Sequence, residues 1–171
     1  MLLNLKNEGN EYKGCLYCGL MIDENGDPKV IEFNCRYGDP ETQVVLPLLG
    51  SDFLELTESS VNGTIKDYKM CFADEYYCSV VLASEGYPDK YETGKVITGL
   101  DDVEKDCLVF HAGTKKNING EIITNGGRVL NVVGRSKNNL KEAIDMAYRN
   151  VNLINFENKY FRTDIGMKGL S

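Results

Sequence analysis

Six apolar residues near the end of the chain, Leu140, Ala143, Ile144, Ala147, Val151 and Ile154, recur at steps of three and four. That period places them on one stripe of an α-helix, and such a helix must bury its stripe against another element. The segments able to receive it are short and strand-like: CSVVLAS, GKVITGL, CLVFHAG and GEIITNGGRVLNVVG, all between residues 78 and 134. Within the last of these, Asn125-Gly126-Gly127 predicts a hairpin turn between EIIT and RVLNVV. The second half of the chain therefore reads as a small β-rich domain closed by one amphipathic helix.

The first half has another texture. Leu16 to Asp23 is apolar and suits a buried strand. ENGD (Glu24 to Asp27) has turn chemistry, and Lys29 to Arg36 reads as the returning strand of a hairpin. Gly38-Asp39-Pro40-Glu41 predicts a helix start, with Asp39 as N-cap and Pro40 at the first helical position. Pro47 should kink or stop that helix and Gly50 should end it. A second helix is expected from Ser51 or Asp52 to Gly63. The pattern changes around Thr64, which puts a domain boundary within residues 60–75 and divides 1–65 from 66–171. The fold class expected is α+β.

With 171 residues, 42% hydrophobic and 26% charged, the chain can bury a core and is not a disordered tail. Its most apolar window, Val44 to Gly50, is far shorter than the roughly 20 residues of a membrane-spanning helix. The first ten residues lack the features of a secretory signal. A net charge of -7 argues against binding a phosphate backbone. The expectation is a cytoplasmic globular protein with neither a membrane nor a nucleic acid as partner. Of the six cysteines (Cys15, Cys18, Cys35, Cys71, Cys78, Cys107) only Cys15 and Cys18 are close in sequence, and the chain holds a single histidine. A zinc site would want a second close pair, and residues three apart on a strand face opposite ways. The cysteines thus read as small apolar fillers.

VIEFNCRYGDPETQ, Val30 to Gln43, carries the chemistry. On a strand Glu32, Asn34 and Arg36 share one face, and Ile31, Phe33 and Cys35 share the other. Alternation of this kind describes any half-buried strand. Here, however, it sets a carboxylate beside an amide oxygen, two hard donors of the kind Mg²⁺ prefers, with an arginine that can steady phosphoryl charge. His111, in VFHAGT, is either a packed, hydrogen-bonded residue or a substrate-facing one. Arg128 reads as exposed or ion-paired.

The run GCLYCGLMIDENGDPKVIEFNCRYGDPETQVVLPLL resembles the metal-binding strand region of the ATP-grasp ligases, and more narrowly the phosphoribosylamine–glycine ligase family. The likeness continues in order through VVLASEGYPDKYETGKVITGL, VFHAGT, TNGGRVLNVVG, AIDMAYRNV and YFRTDIG. It implies a partial ATP-grasp antiparallel sheet with helices, followed by the family's carboxy-terminal domain. It also implies that Glu32 and Asn34 hold the Mg²⁺ or Mn²⁺ ions that bridge the phosphates of ATP. Arg36 matches the family's arginine and would be the catalytic, substrate-binding residue steadying the transferring phosphate. Asp39 would be a substrate contact or an N-cap. ATP, glycine and phosphoribosylamine are the substrates implied for the complete enzyme. Family members are more than twice as long, so the resemblance also implies a missing amino-terminal portion as partner and no activity for this chain alone. A non-catalytic binding or assembly module, and a related ligase with another acid and amine, remain alternatives at this point.

Overall fold

The computed structural model describes residues 2–170. It divides into two units, one of residues 1–42 and 49–73, the other of residues 43–48 and 74–171. In the first, a short helix α1 (Leu2–Asn7) precedes the antiparallel hairpin of β1 (Tyr17–Ile22) and β2 (Pro28–Asn34). The turn forms as its residues predict. The Asp23 carboxylate accepts the N–H groups of Asn25 at 2.9 Å and Asp27 at 3.0 Å, and Gly26 takes a left-handed φ of 87°.

The register decides which side chains go where. Tyr17 faces Asn34, Gly19 faces Glu32 and Leu20 faces Val30, so Ile31 is an extra residue on β2. A bulge of this kind sets Val30 and Ile31 on the same face, beside Cys18, Leu20, Ile22 and Phe33. The polar residues Glu32 and Asn34 take the other face, with Gly19. The apolar face is uncovered within this unit: Leu20, Ile22, Val30, Ile31 and Phe33 are 47% to 63% exposed. The buried strand expected over residues 16–23 is therefore an exposed one. A two-stranded hairpin satisfies its own backbone but supplies no second layer to bury a side chain against.

The helix expected at Asp39 begins later, as α2 (Thr42–Leu48). The Gly38 carbonyl accepts both the Thr42 N–H at 3.0 Å and the Thr42 hydroxyl, closing a turn before the first helical residue. Asp39 is therefore not the N-cap and Pro40 is not the first helical residue. Pro47 lies one residue before the end of α2, which stops at Leu48, short of Gly50. The next helix, α3 (Phe53–Asn62), follows its sequence signals closely. Asp52 caps it by accepting the Glu55 N–H at 2.9 Å, and Gly63 closes it at φ 75°, with its N–H to Ser59 and Ser60.

The second unit has a four-stranded antiparallel sheet. β3 (Tyr76–Ser84) pairs with β7 (Arg128–Ser136), β7 with β4 (Leu108–His111), and the short β8 (Lys159–Tyr160) pairs with the end of β3. β5 (Thr114–Lys116) and β6 (Ile122–Thr124) form a separate ribbon. The hairpin expected at Asn125-Gly126-Gly127 is absent, because β6 pairs with β5 whereas β7 pairs with β3 and β4. The glycines instead turn a corner between two sheets. GKVITGL contributes only isolated bridges, Val96 to Ile123 and Thr98 to Asn155.

The apolar stripe finds its place on α4 (Leu140–Leu153), which is capped by Asn139 accepting the Glu142 N–H at 2.9 Å. Ala143, Ile144, Ala147 and Val151 join Val80, Leu82, Leu130 and Val132 in one buried core. The helix lies against β7 at a glycine. A Cβ on Gly134 would sit 2.1 Å from the Ala143 carbonyl oxygen and 2.4 Å from the Ala147 nitrogen. Asn150, fully buried, accepts the Glu104 N–H at 2.8 Å and donates to the Met146 carbonyl at 2.9 Å. Lys159 donates to the carbonyls of Val151 and Ile154, closing the carboxy-terminal end of α4.

The cysteines divide by environment. All are free; Cys78 and Cys107 are buried fillers as expected, but Cys18, Cys35 and Cys71 are exposed. Burial pushes the thiols of Cys78 and Cys107 up to about 11. An unfolded thiol titrates near 8.5, so above that pH the unfolded chain releases these protons first. The stability linked to them is complete below about pH 8.5 and is lost as pH rises toward 11. Iodoacetamide at neutral pH should modify Cys18, Cys35 and Cys71 while leaving Cys78 and Cys107 intact until denaturant is added. Mass mapping of the alkylated peptides checks this, and early labelling of Cys78 would contradict it.

Candidate functional site

Glu32 and Asn34 stand two residues apart on one face of β2, opposite Gly19 and Tyr17 of β1. A Cβ on Gly19 would lie 3.0 Å from the Glu32 Cγ, so the glycine leaves the carboxylate room to move. Glu32 is exposed and Asn34 half-buried, and neither side chain hydrogen-bonds to another described residue. Among the described residues no group of three His, Cys, Asp or Glu gathers that could hold a metal. An exposed carboxylate and a half-buried amide oxygen on one strand face are hard donors of the kind a divalent cation takes. Two protein oxygens suit a hard divalent cation that takes its other ligands from elsewhere and are too few to enclose one.

Arg36 lies two residues past the end of β2, where the chain bends, so the face shared by all three residues is regular only as far as Asn34. Its Nη1 donates to the Tyr37 carbonyl at 3.0 Å and the side chain is exposed. Asp39 is half-buried in the turn before α2.

Two neighbours escaped the sequence reading. The Tyr17 hydroxyl donates to Glu41 at 3.1 Å, and the Glu41 carboxylate lies over Gly38, where a Cβ would meet it at 2.3 Å. This contact ties the strand position facing Asn34 to the turn that carries Asp39. The Glu41 hydrogen bond, burial and the nearby carboxylate charges raise the Tyr17 phenol above its ordinary value. Only the register reveals the pairing, because 24 residues separate the two groups.

In the second unit His111, the last residue of β4, is exposed and its Nδ1 lies 2.9 Å from the Thr114 hydroxyl. Arg128 opens β7 and is half-buried. At the other end of that sheet, Glu75, Asp106, Arg135, Ser136, Lys137 and Met146 line a surface cleft of about 360 Å³. Its charges are already paired, Arg135 with Asp106 at 2.5 Å and Lys137 with Glu75 at 3.9 Å.

Residues 77–168 match the family described as phosphoribosylglycinamide synthetase, C domain. The chain belongs to this family. Residues 1–42 match the ATP-grasp (A) domain of the same phosphoribosylglycinamide synthetases. Among curated relatives, the chain is 48% identical to the phosphoribosylamine–glycine ligase of Caldanaerobacter subterraneus subsp. tengcongensis, a match covering 94% of this chain and 38% of that protein. It is 46% identical to the enzyme of the same name from Nostoc, over 98% of this chain and 40% of the relative. The crystal structure of phosphoribosylamine–glycine ligase from Thermotoga maritima superposes with a TM-score of 0.76 at 37% identity, covering 95% of this chain and 39% of that one. This member of the synthetase family thus spans about two fifths of the length of the relatives it matches. Among its described residues, no helix is long and apolar enough to cross a membrane.

Proposed function

We propose that this chain supplies the carboxy-terminal part of an ATP-dependent ligase that joins glycine to 5-phosphoribosylamine, and that it is inert without the remainder of that enzyme. The observation that carries the reading is the match to both family domains in order, over residues 1–42 and 77–168. In this reading residues 1–65 are the distal part of the ATP-grasp domain and 66–171 the carboxy-terminal domain, acting in the cytoplasm. The exposed apolar face of β1 and β2 supports the same conclusion, because a second layer is needed to bury it. The partner proposed for that face is the amino-terminal portion of the same enzyme.

Glu32 and Asn34 would hold the Mg²⁺ or Mn²⁺ that accompanies ATP. When bound, such a cation neutralises phosphate charge and aligns the transferring group. Glu32 contributes a full negative charge and Asn34 a neutral oxygen, so the pair leaves the cation with net positive charge for the nucleotide. Arg36 would steady the transferring phosphate as the glycine carboxylate becomes glycyl phosphate. Its planar fork spans two oxygens at once, which an ammonium cannot do. Asp39 would contact substrate from the turn behind Gly38. The amine of phosphoribosylamine then displaces the phosphate.

The test is a chimera in which this chain replaces the matching part of the Caldanaerobacter relative. ADP release should require ATP, glycine and phosphoribosylamine together, and the isolated chain should release none. A folded chimera without turnover, or turnover by the isolated chain, would overturn the proposal.

A further inference from the structure

The strand face that carries Glu32 and Asn34 is fastened to the turn that follows it by a hydrogen bond between distant residues. Tyr17 stands directly opposite Asn34 and diagonal to Glu32, so its ring rises from the same face. The ring is half-buried, and its hydroxyl donates to Glu41 Oε1 at 3.1 Å. The carboxylate that accepts this bond folds back over Gly38, which is buried. A Cβ on Gly38 would lie 3.0 Å from the Glu41 Cδ and 3.2 Å from the Tyr17 Cε2, so ring and carboxylate both close on the glycine.

The Gly38 carbonyl accepts the Thr42 N–H at 3.0 Å and the Thr42 hydroxyl. Residues 38–42 thus make a closed turn with Asp39 inside it, and the Tyr17 hydroxyl ties that turn to β1. Between strand and turn, residues 35 and 36 form a bend outside any helix or strand. The covalent link therefore sets how far the turn lies from β2 but not its angle. A hydrogen bond to a carboxylate is among the stronger ones and fixes both.

We propose that Tyr17 is a positioning residue, which through Glu41 holds the turn bearing Asp39 against the strand face bearing Glu32 and Asn34. The inference rests on the ligase reading above, in which Asp39 meets substrate and the strand face meets the cation of ATP. Transfer between two bound groups depends on their alignment, and a displacement of about 1 Å can cost about a hundredfold in rate. Tyr17 touches neither group in that reading. Its loss lowers kcat and leaves the apparent affinity for ATP in place, because Glu32 and Asn34 remain.

The test uses the chimera described above with Tyr17→Phe, which keeps the ring against Gly38 and removes only the hydroxyl. Exchange of the Thr42 amide should quicken about tenfold, the size expected on losing a hydrogen bond to a charged group, and that of Leu56 in α3 should not. kcat should fall about tenfold or more, with KM for ATP within about twofold of the parent. A contact with a structural role alone would lower the melting temperature and leave kcat per folded enzyme unchanged. Tyr17→Phe should add nothing to Glu41→Ala, since either variant breaks the same bond. Gly38→Ala, which displaces the carboxylate without removing it, should reproduce the loss, and it serves if Tyr17→Phe does not fold. Unchanged kcat or Thr42 exchange in folded Tyr17→Phe, a rise in KM for ATP as large as the fall in kcat, or additive losses with Glu41→Ala would each overturn the proposal. A parent chimera that turns over while Tyr17→Phe matches it sinks this proposal alone, whereas an inactive parent sinks the ligase reading and this proposal with it.

Discussion

Valine in place of Gly134 should unseat α4 and destabilise the second unit by about 3 kcal/mol or more, the upper range for overpacking a rigid core. The reason is where the intruding atoms land. A side chain at this position meets the Ala143 carbonyl oxygen and the Ala147 nitrogen, both backbone atoms of a hydrogen-bonded helix that cannot swing aside. Relief requires moving the whole helix, and with it the burial of Ala143, Ala147 and Val151 against the sheet. Urea titration with hydrogen-exchange readout on the α4 amides measures the loss. Gly134→Ala, with a smaller intrusion, serves if the valine variant does not fold. A change below about 0.5 kcal/mol, the size of an ordinary surface substitution, would show that the helix does not depend on this contact.

Glu32→Ala in the chimera should lower turnover about a hundredfold or more, the scale of losing a group that sets charge at a transferring phosphate, while leaving stability unchanged. Stability should hold because Glu32 is exposed and makes no hydrogen bond to another described residue. Activity should fall because Glu32 is the one carboxylate within β2 and shares its face with Asn34. The two readouts must separate. Turnover within about threefold of the parent at saturating Mg²⁺ would exclude Glu32 as a cation ligand, since a lost ligand costs far more. Arg36→Lys, assayed alongside, should impair turnover nearly as much, because its loss removes geometry rather than charge.

The uncovered face of the hairpin bears on both results. Leu20, Ile22, Val30, Ile31 and Phe33 stay exposed in this unit, so β1 and β2 are held by their mutual pairing, their turn and the Tyr17–Glu41 contact without a packed apolar layer. The candidate cation site is thus carried by the less supported part of the molecule, whereas α4 and its sheet form a packed core. Chemistry at Glu32 should accordingly depend on the rest of the enzyme, and the Gly134 effect should not.

What local sequence determined is what local physics can enforce. The Asn-Gly turn, the Asp52 cap with its Gly63 stop, and the stripe of α4 each depend on residues within a turn or two, and each forms where the residues place it. The alternation of Glu32 and Asn34 is equally local, since side chains two apart on a strand must share a face. Tertiary structure decided the rest. Asn125-Gly126-Gly127 has hairpin chemistry but turns a corner, because β3 and β4 take both edges of β7 and leave none for β6. The apolar strand at residues 17–22 is exposed because burial depends on a second layer that no residue of the hairpin can provide. The bulge at Ile31 and the Tyr17–Glu41 contact arise only when distant segments pair, and composition carries no record of register.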